Sequence, residues 1–432
     1  MPFPTEFGVF FVYLQQILFL MKIRQFINAY WQQLLLLLMA VAVFCFWGYV
    51  HPEKVVAREA FQMFLWNWDY FTDRMAVPGG FARYSGEFLV QFFKFVTLGA
   101  AIYALLFTSI VWFSWILLKR ALPEFNQMVL LGLSFLPSLF LWFLACNMDV
   151  ATTLQVAVFF ALVLMLALPE HRSMSLICSL VLIPIGYWLT GPLVILIALY
   201  HLRWLREKGS RMKTFLESAA MTLLLLASVI VSSRFVHYPL EMLATGVDYV
   251  MVQRNKYGTD EEIKYDYLFR LRAWEEIVDR SYKEEPKSQA CRNVVLLAKY
   301  YTKRCSDEEL RLSLQYPNKV LTSGVAAMMM SDHYLHMGFT NMSQRAAFEV
   351  MECTSNYNRS AREMVRLVET NLIIGEYEVA LKYISILEQT LFYRNWAIMM
   401  KDYAMHPEKI KESPLYGPLQ NIYGETADVF FL

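Results

Sequence analysis

Apolar stretches that nearly lack charge recur through the first half of this chain, at residues 34–50, 88–118, 128–146, 152–168, 174–189, 193–202 and 215–233. A helix crossing the hydrocarbon of a bilayer needs about 20 such residues. Helices suit that role because they satisfy their own backbone hydrogen bonds. Residues 34–50 have no small-residue cleavage site after them and therefore read as an anchor, not a signal peptide. The fifth run is expected to kink at Pro184. The sixth is short and reads as continuing past Arg203. Residues 7–20 form a further run of 14, short for a crossing. It reads either as an extension ahead of a second start at Met21-Lys22-Ile23-Arg24 or as an interfacial helix.

The remaining chain is different. Over all 432 residues, 57% are apolar and 18% charged, where soluble proteins average roughly 45–50% apolar. Residues 1–235 carry 16 Lys/Arg and 11 Asp/Glu, and residues 236–432 carry 23 and 27. The expected fold is all-α: a membrane domain at 1–235 with about seven spans, then a soluble helical domain at 236–432. The second is long enough to bury its own core.

Orientation follows from the cations. Lys22, Arg24, Lys119, Arg120, Arg172, Arg203, Arg206, Lys208, Arg211 and Lys213 occupy alternate loops and make up 10 of the 16 basic residues in the membrane half. Those loops read as cytoplasmic. Residues 51–87, the Asn147-Met148-Asp149 link and the Thr190 turn then lie outside, as does the tail after seven crossings.

The first outer loop holds Glu53, Glu59, Asp69, Asp73 and Glu87. Read as one helix, 59–75 places Phe61, Phe64, Leu65, Trp68, Phe71 and Met75 on an apolar stripe and Glu59, Gln62, Trp66, Asp69 and Asp73 opposite. Such a helix lies in the membrane interface with its acids toward water. Pro78-Gly79-Gly80 ends it, and the chain returns to the membrane at 81–93.

The tail shows helical periodicity over 260–282, 290–304, 324–337, 343–353, 360–374 and 377–391. Two stretches, HMGFTNMSQRAAFEVM and IIGEYEVALKYISIL, resemble tetratricopeptide repeats. Their glycines, Gly338 and Gly375, stand 37 apart, near the repeat's period of about 34. Tyr377, Ala380 and Leu387 match packing positions of such a unit. The resemblance implies stacked antiparallel helix pairs that bind a peptide or another protein.

The membrane half resembles the core of type-C glycosyltransferases, in its seven spans, its acidic first outer loop and an acid in the next outer loop. That resemblance implies a polyprenyl-phosphate-linked sugar as donor outside the membrane. Glu53 and Asp149 match the family's carboxylate positions, with Glu59 and Asp69 as further catalytic candidates. A carboxylate partly desolvated by aromatics has a raised pKa and can serve as base for an acceptor hydroxyl. Asp149 with Asn147 is the expected pair of ligands for a divalent metal. The chain departs from the family in lacking paired acids after the first span and a β-rich tail domain. Over its whole length it also resembles an uncharacterised family of bacterial multi-pass membrane proteins. The shared features are the Asp69-Tyr70-Phe71, Pro78–Ala82, Tyr84 and Phe88–Phe92 residues of the loop and the helical tail. That resemblance implies the bacterial inner membrane and carries no activity.

Simpler readings stand beside these. Asp69 and Asp73 also fit a solvated helix face partnered by Arg58 and Arg74. His333 and His336 read as residues of an exposed repeat helix. The basic run 203–213 is the positive-inside signal, with anionic lipid headgroups as a secondary use. Of six cysteines, Cys291 and Cys305 form the one candidate bridge. No nucleotide-binding, hydrolase or zinc-protease motif occurs, and nothing points to nucleic acid. Three functions remain: a type-C-like transferase, a non-catalytic membrane-anchored scaffold for envelope proteins, and, more weakly, transport.

Overall fold

Among the described residues five helices are long and apolar enough to cross a membrane: Tyr30–Val50 (α1), Val96–Ala121, Gln127–Ala145, Arg172–Arg206 and Arg211–Ser232. The chain is therefore a membrane protein. The computed structural model describes residues 30–206, 211–250, 257–312, 320–354 and 359–425. The run 7–20 and the cations Lys22, Arg24 and Lys208 lie outside them. Among the described residues all regular structure is helical, and an isolated bridge joins Val150 to Val250.

After α1 the outer loop forms α2 (Pro52–Ala60), α3 (Trp68–Met75) and α4 (Gly80–Val90). The membrane helices continue as α5 (Val96–Ala121), α6 (Gln127–Ala145) and α7 (Thr152–Leu166). The stretch Arg172–Arg206 is not one rod. In a straight helix Ser175 and Arg203 would be about 42 Å apart, yet Arg203 Nη2 donates to Ser175 Oγ at 3.2 Å. The chain turns at Gly191, whose φ is +62° and where a Cβ would meet the Tyr249 hydroxyl at 2.5 Å. Thus α8 (Arg172–Thr190) is followed by a returning α9 (Ile195–His201), extended by a 3-10 turn to Arg206. The last apolar helix is α10 (Arg211–Ser232).

Polar contacts mark two ends of this bundle. At one, Arg120 donates to Leu166 O at 2.9 Å and Arg206 to Ala121 O. Arg172 there reaches Thr214 at 2.9 Å and Glu217 at 2.8 Å. At the other, Gly79 N donates to Tyr187 O at 3.0 Å, and Ala151 N to Tyr249 O at 3.0 Å. Between them the core stacks Trp47 on Tyr103 (4.8 Å between ring centroids) and Tyr103 on Phe107 (5.6 Å).

The outer loop differs from the single amphipathic helix expected over 59–75. The chain leaves helix after Ala60 and resumes at Trp68. Asn67 caps α3 by accepting from Tyr70 N at 2.6 Å. Trp66 N pairs with Gln389 O of the tail at 2.8 Å, so this stretch is held as an edge against the tail. The expected stripe is split accordingly: Phe61 and Phe64 are buried, whereas Trp68 is 72% exposed. The second apolar helix also starts later than 88. Residues 91–94 form a 3-10 turn and Phe95 is extended. Lys94 lies 3.6 Å over the Tyr393 ring and draws this turn toward the tail.

The tail is a succession of helices. After α11 (Leu240–Thr245) come α12 (Asp260–Arg270), α13 (Trp274–Lys283), α14 (Gln289–Tyr301) and α15 (Asp307–Leu312). Then α16 (Gly324–His336) packs on α17 (Thr340–Cys353), and α18 (Ala361–Ile374) on α19 (Tyr377–Leu387). The partners of each pair are separated by a left-handed glycine, Gly338 at φ +81° and Gly375 at φ +95°. Ala380 and Leu387 are fully buried. Helices α20 (Arg394–Met405), α21 (Glu408–Glu412) and α22 (Tyr416–Tyr423) close the tail, and α22 returns onto α18. All six cysteines are free, so Cys291 and Cys305 form no bridge.

Bundle and tail meet through α2. Ala57, Ala60 and Phe61 share one apolar cluster with Met148 of the bundle and Tyr257, Ile263, Val325 and Met328 of the tail. Gly324 allows this approach, since a Cβ there would sit 2.7 Å from the Phe61 ring.

Candidate functional site

The expected site residues divide between two surroundings. Glu53, in the first turn of α2, is buried and paired with Lys264 of the tail at 3.3 Å and His51 at 3.0 Å. Glu59, at the other end of α2, is buried and accepts from Tyr393 OH at 2.8 Å. Burial raises its pKa above the usual carboxylate value, against the pull of Arg270, the Tyr393 hydroxyl and Lys94. Asp149 is exposed in the link after α6, and its amide donates to Asn147 Oδ1 at 3.0 Å. Asp69 is exposed in the first turn of α3. The structure therefore sets Glu53 and Glu59 against the tail and leaves Asp149 and Asp69 in water.

The expected metal ligands, Asp149 and Asn147, stand two residues apart in the link after α6. Among the described residues no three His, Cys, Asp or Glu side chains gather as a metal would require. The Asn147 amide oxygen already accepts a backbone bond. No metal enters the chemistry below.

The partners expected for Asp69 and Asp73 are engaged elsewhere. Arg58 is buried and donates to Ala145 O and Val150 O, both at 2.6 Å, and to Asn147 O at 3.0 Å. It caps the carbonyl end of α6, where the helix dipole favours a cation. Arg74 Nε donates to Glu87 at 2.7 Å, and its guanidinium lies 4.3 Å over the Tyr70 ring.

Glu87 is the centre of a buried network. Tyr70 OH and Arg74 share one of its oxygens, and Arg83 Nε binds the other at 3.0 Å. Arg83 also pairs with Asp248 at 2.6 Å. Burial opposes ionisation of Glu87, but the two guanidiniums and the Tyr70 hydroxyl outweigh it and hold its pKa below the usual range. The sequence places Glu87 among the acids of the outer loop without marking it as a centre, and does not single out Asp248. An Arg–Glu pair at i, i+4 inside an otherwise apolar stretch was the available signal.

Beside this network lies a polar cavity of about 510 Å³, whose lining includes Asp69, Asp73, Arg74, Arg83 and Arg359. Asp69, Asp73 and Arg359 are exposed and make no ion pair among the described residues. The opposite face of α4 borders an apolar groove of about 530 Å³, lined by Phe81, Tyr84 and Phe88 with Ile102 and Leu105 of α5 and Phe160 of α7. Residues 65–67 alternate between the two: Leu65 and Asn67 line the cavity, and Trp66 lines the groove. One helix thickness, about 10 Å, thus separates a charged cavity at the bundle's end from a groove along the apolar helices α5 and α7.

Residues 28–432 match the family described as Family of unknown function (DUF6057). The chain belongs to that family. No curated protein and no solved structure matches it.

Proposed function

We propose that this chain is a seven-crossing membrane protein acting on an anionic lipid-linked substrate at its tail-covered end. The count adds α7 and the returning α9 to the other apolar helices, because each joins the same two ends. The arginine-rich end reads as cytoplasmic, which puts the tail outside, in our reading across a bacterial inner membrane. The helix pairs around Gly338 and Gly375 read as tetratricopeptide-like units. A reporter fused after Leu432 should be active only outside the cytoplasm, and one fused at Gly209 only inside. The reverse result sinks this orientation.

The observation that carries the functional reading is the charged cavity and the apolar groove on opposite faces of α4. An isoprenoid chain suits the groove, and a phosphate-linked sugar suits the cavity. The chemistry is then that of a type-C-like transferase. Asp69 or Asp73 takes the proton of an acceptor hydroxyl as its oxygen bonds to the sugar's anomeric carbon. The bond from that carbon to phosphate oxygen breaks, and the electron pair leaves on the polyprenyl phosphate, beside Arg359. In this reading Glu53 and Glu59 hold the tail in place instead of doing chemistry.

The test uses the full chain in nanodiscs with a polyprenyl-phosphate-linked hexose as donor and a bacterial envelope extract as the source of acceptor hydroxyls. Release of polyprenyl phosphate should fall by at least about 100-fold in Asp69→Asn/Asp73→Asn. No release by the unaltered chain, or equal release by the variant, defeats the transferase reading. A second reading, a non-catalytic scaffold, is favoured by the exposed Ile398, Met399 and Met405 of α20 and Leu415 just before α22. It predicts that both acid changes are silent.

A further inference from the structure

The opposite end of the bundle holds a second polar cavity, of about 520 Å³. Lys119 and Arg120 of α5 line it together with Arg203 and Arg206 beyond α9, and Glu170 is the one carboxylate among its described lining residues. Glu170 lies 3.7 Å from Arg120 and its side chain is 80% exposed, so it offsets little of that charge.

The cations are built into position. Arg203 donates to Pro169 O and Ser175 Oγ, both at 3.2 Å, and its guanidinium lies 4.0 Å over the Tyr200 ring. Arg120 donates to Leu166 O at 2.9 Å, and Arg206 to Ala121 O. Lys119 lies 4.7 Å over the Trp115 ring. Carbonyls and rings carry no net charge, so these contacts orient the cations without neutralising them. Each guanidinium has five N–H donors, which leaves several for a ligand.

A bias of cations toward one membrane face would be met by residues scattered over that face. It does not require four of them to converge from separate segments on one cavity. Tyr200 and Trp204 also line it, as amphipathic rings do at headgroup depth. Leu199 and Leu205, their neighbours in sequence, are exposed and supply apolar surface beside it.

We propose that this cavity binds the phosphodiester of an anionic phospholipid, with the acyl chains along the adjoining apolar helices. Basic pockets between membrane helices are suited to such headgroups, and guanidiniums make their strongest hydrogen bonds to phosphate oxygens. This site is independent of the cavity beside α4.

The purified full chain in detergent would be offered phosphatidylglycerol, phosphatidylcholine or inorganic phosphate, with retention read by native mass spectrometry. Phosphatidylglycerol should be held about tenfold or more above phosphatidylcholine, and phosphate should not be held. Lys119→Gln/Arg206→Gln should weaken phosphatidylglycerol about 30-fold, as expected for two cations lost from an anion site. Arg211→Gln/Lys213→Gln, exposed at the start of α10 and not among the residues lining the cavity, should change it by less than about twofold. Equal retention of the two lipids overturns the proposal. So does phosphate binding as well as the lipid, or an equal loss in the Arg211/Lys213 variant. Should the Lys119/Arg206 variant fail to fold, the ranking of ligands on the unaltered chain still decides.

Discussion

Glu59 and Glu87 come from the same outer loop, both are sealed from water, and their surroundings treat them in opposite ways. Glu87 sits between two guanidiniums and a phenol, and is held ionised. Glu59 closes the seam between α2 and the tail with one hydrogen bond, from Tyr393, and burial drives it toward the neutral form. Depth of burial is the same, so it cannot be what separates them. The number of contacting cations decides: two salt bridges repay the desolvation of Glu87, and the cations near Glu59 act only from a distance. The α4 network is therefore a fixed ionic joint, and the α2 seam is a joint whose strength follows pH.

The largest effect expected from this contrast is at Glu87. Glu87→Gln removes the buried carboxylate that Arg74 and Arg83 both bind. Breaking a buried pair in this way costs about 3–5 kcal/mol, readable as a shift in unfolding of the chain in mixed micelles. Removing charge on both sides, with Glu87→Leu and Arg74→Met together, should cost less than the single change. A single variant as stable as the unaltered chain would erase the distinction drawn between the two acids.

The contrast also shows what the sequence could convey. Membrane helices α1, α5, α6, α8 and α10 were legible because apolar length alone specifies them. Helices α14 and α16–α19 and the turns at Gly338 and Gly375 were legible from periodicity and from glycine's tolerance of positive φ, but the run 260–282 breaks at Arg272, whose φ is +53°, and α15 and α20–α22 were not foreseen. The break after Ala60 was not legible. The 59–75 pattern fits a helix locally, and only Gln389, 323 residues beyond Trp66, supplies the edge that opens it. The acids were visible as a group, but their division was not. Glu53 and Glu59 are taken up by Lys264 and Tyr393, partners more than 200 residues away. Asp248 could not be assigned for the same reason, since its partner Arg83 lies in the outer loop.

The smaller effect is at Glu59, and its sign follows from the direction of the shift. A carboxyl whose folded pKa lies above its unfolded value of about 4.3 binds its proton more tightly in the docked chain. Its contribution is fully present below that unfolded value and is lost as pH rises through the folded one. The seam should therefore loosen as pH climbs through this window, the reverse of the trend for Glu87, whose contribution is lost as pH falls. Hydrogen exchange at residues 390–393, followed against pH, would read the loosening. Glu59→Gln keeps an oxygen to accept from Tyr393 and cannot ionise, so it should flatten the profile and change stability at neutral pH by no more than about 1 kcal/mol. Lys94, whose own pKa burial lowers despite Glu59 nearby, would remain over the Tyr393 ring in that variant. An unchanged pH profile in Glu59→Gln would mean that another group governs the seam, and that Glu59 is as firmly held as Glu87.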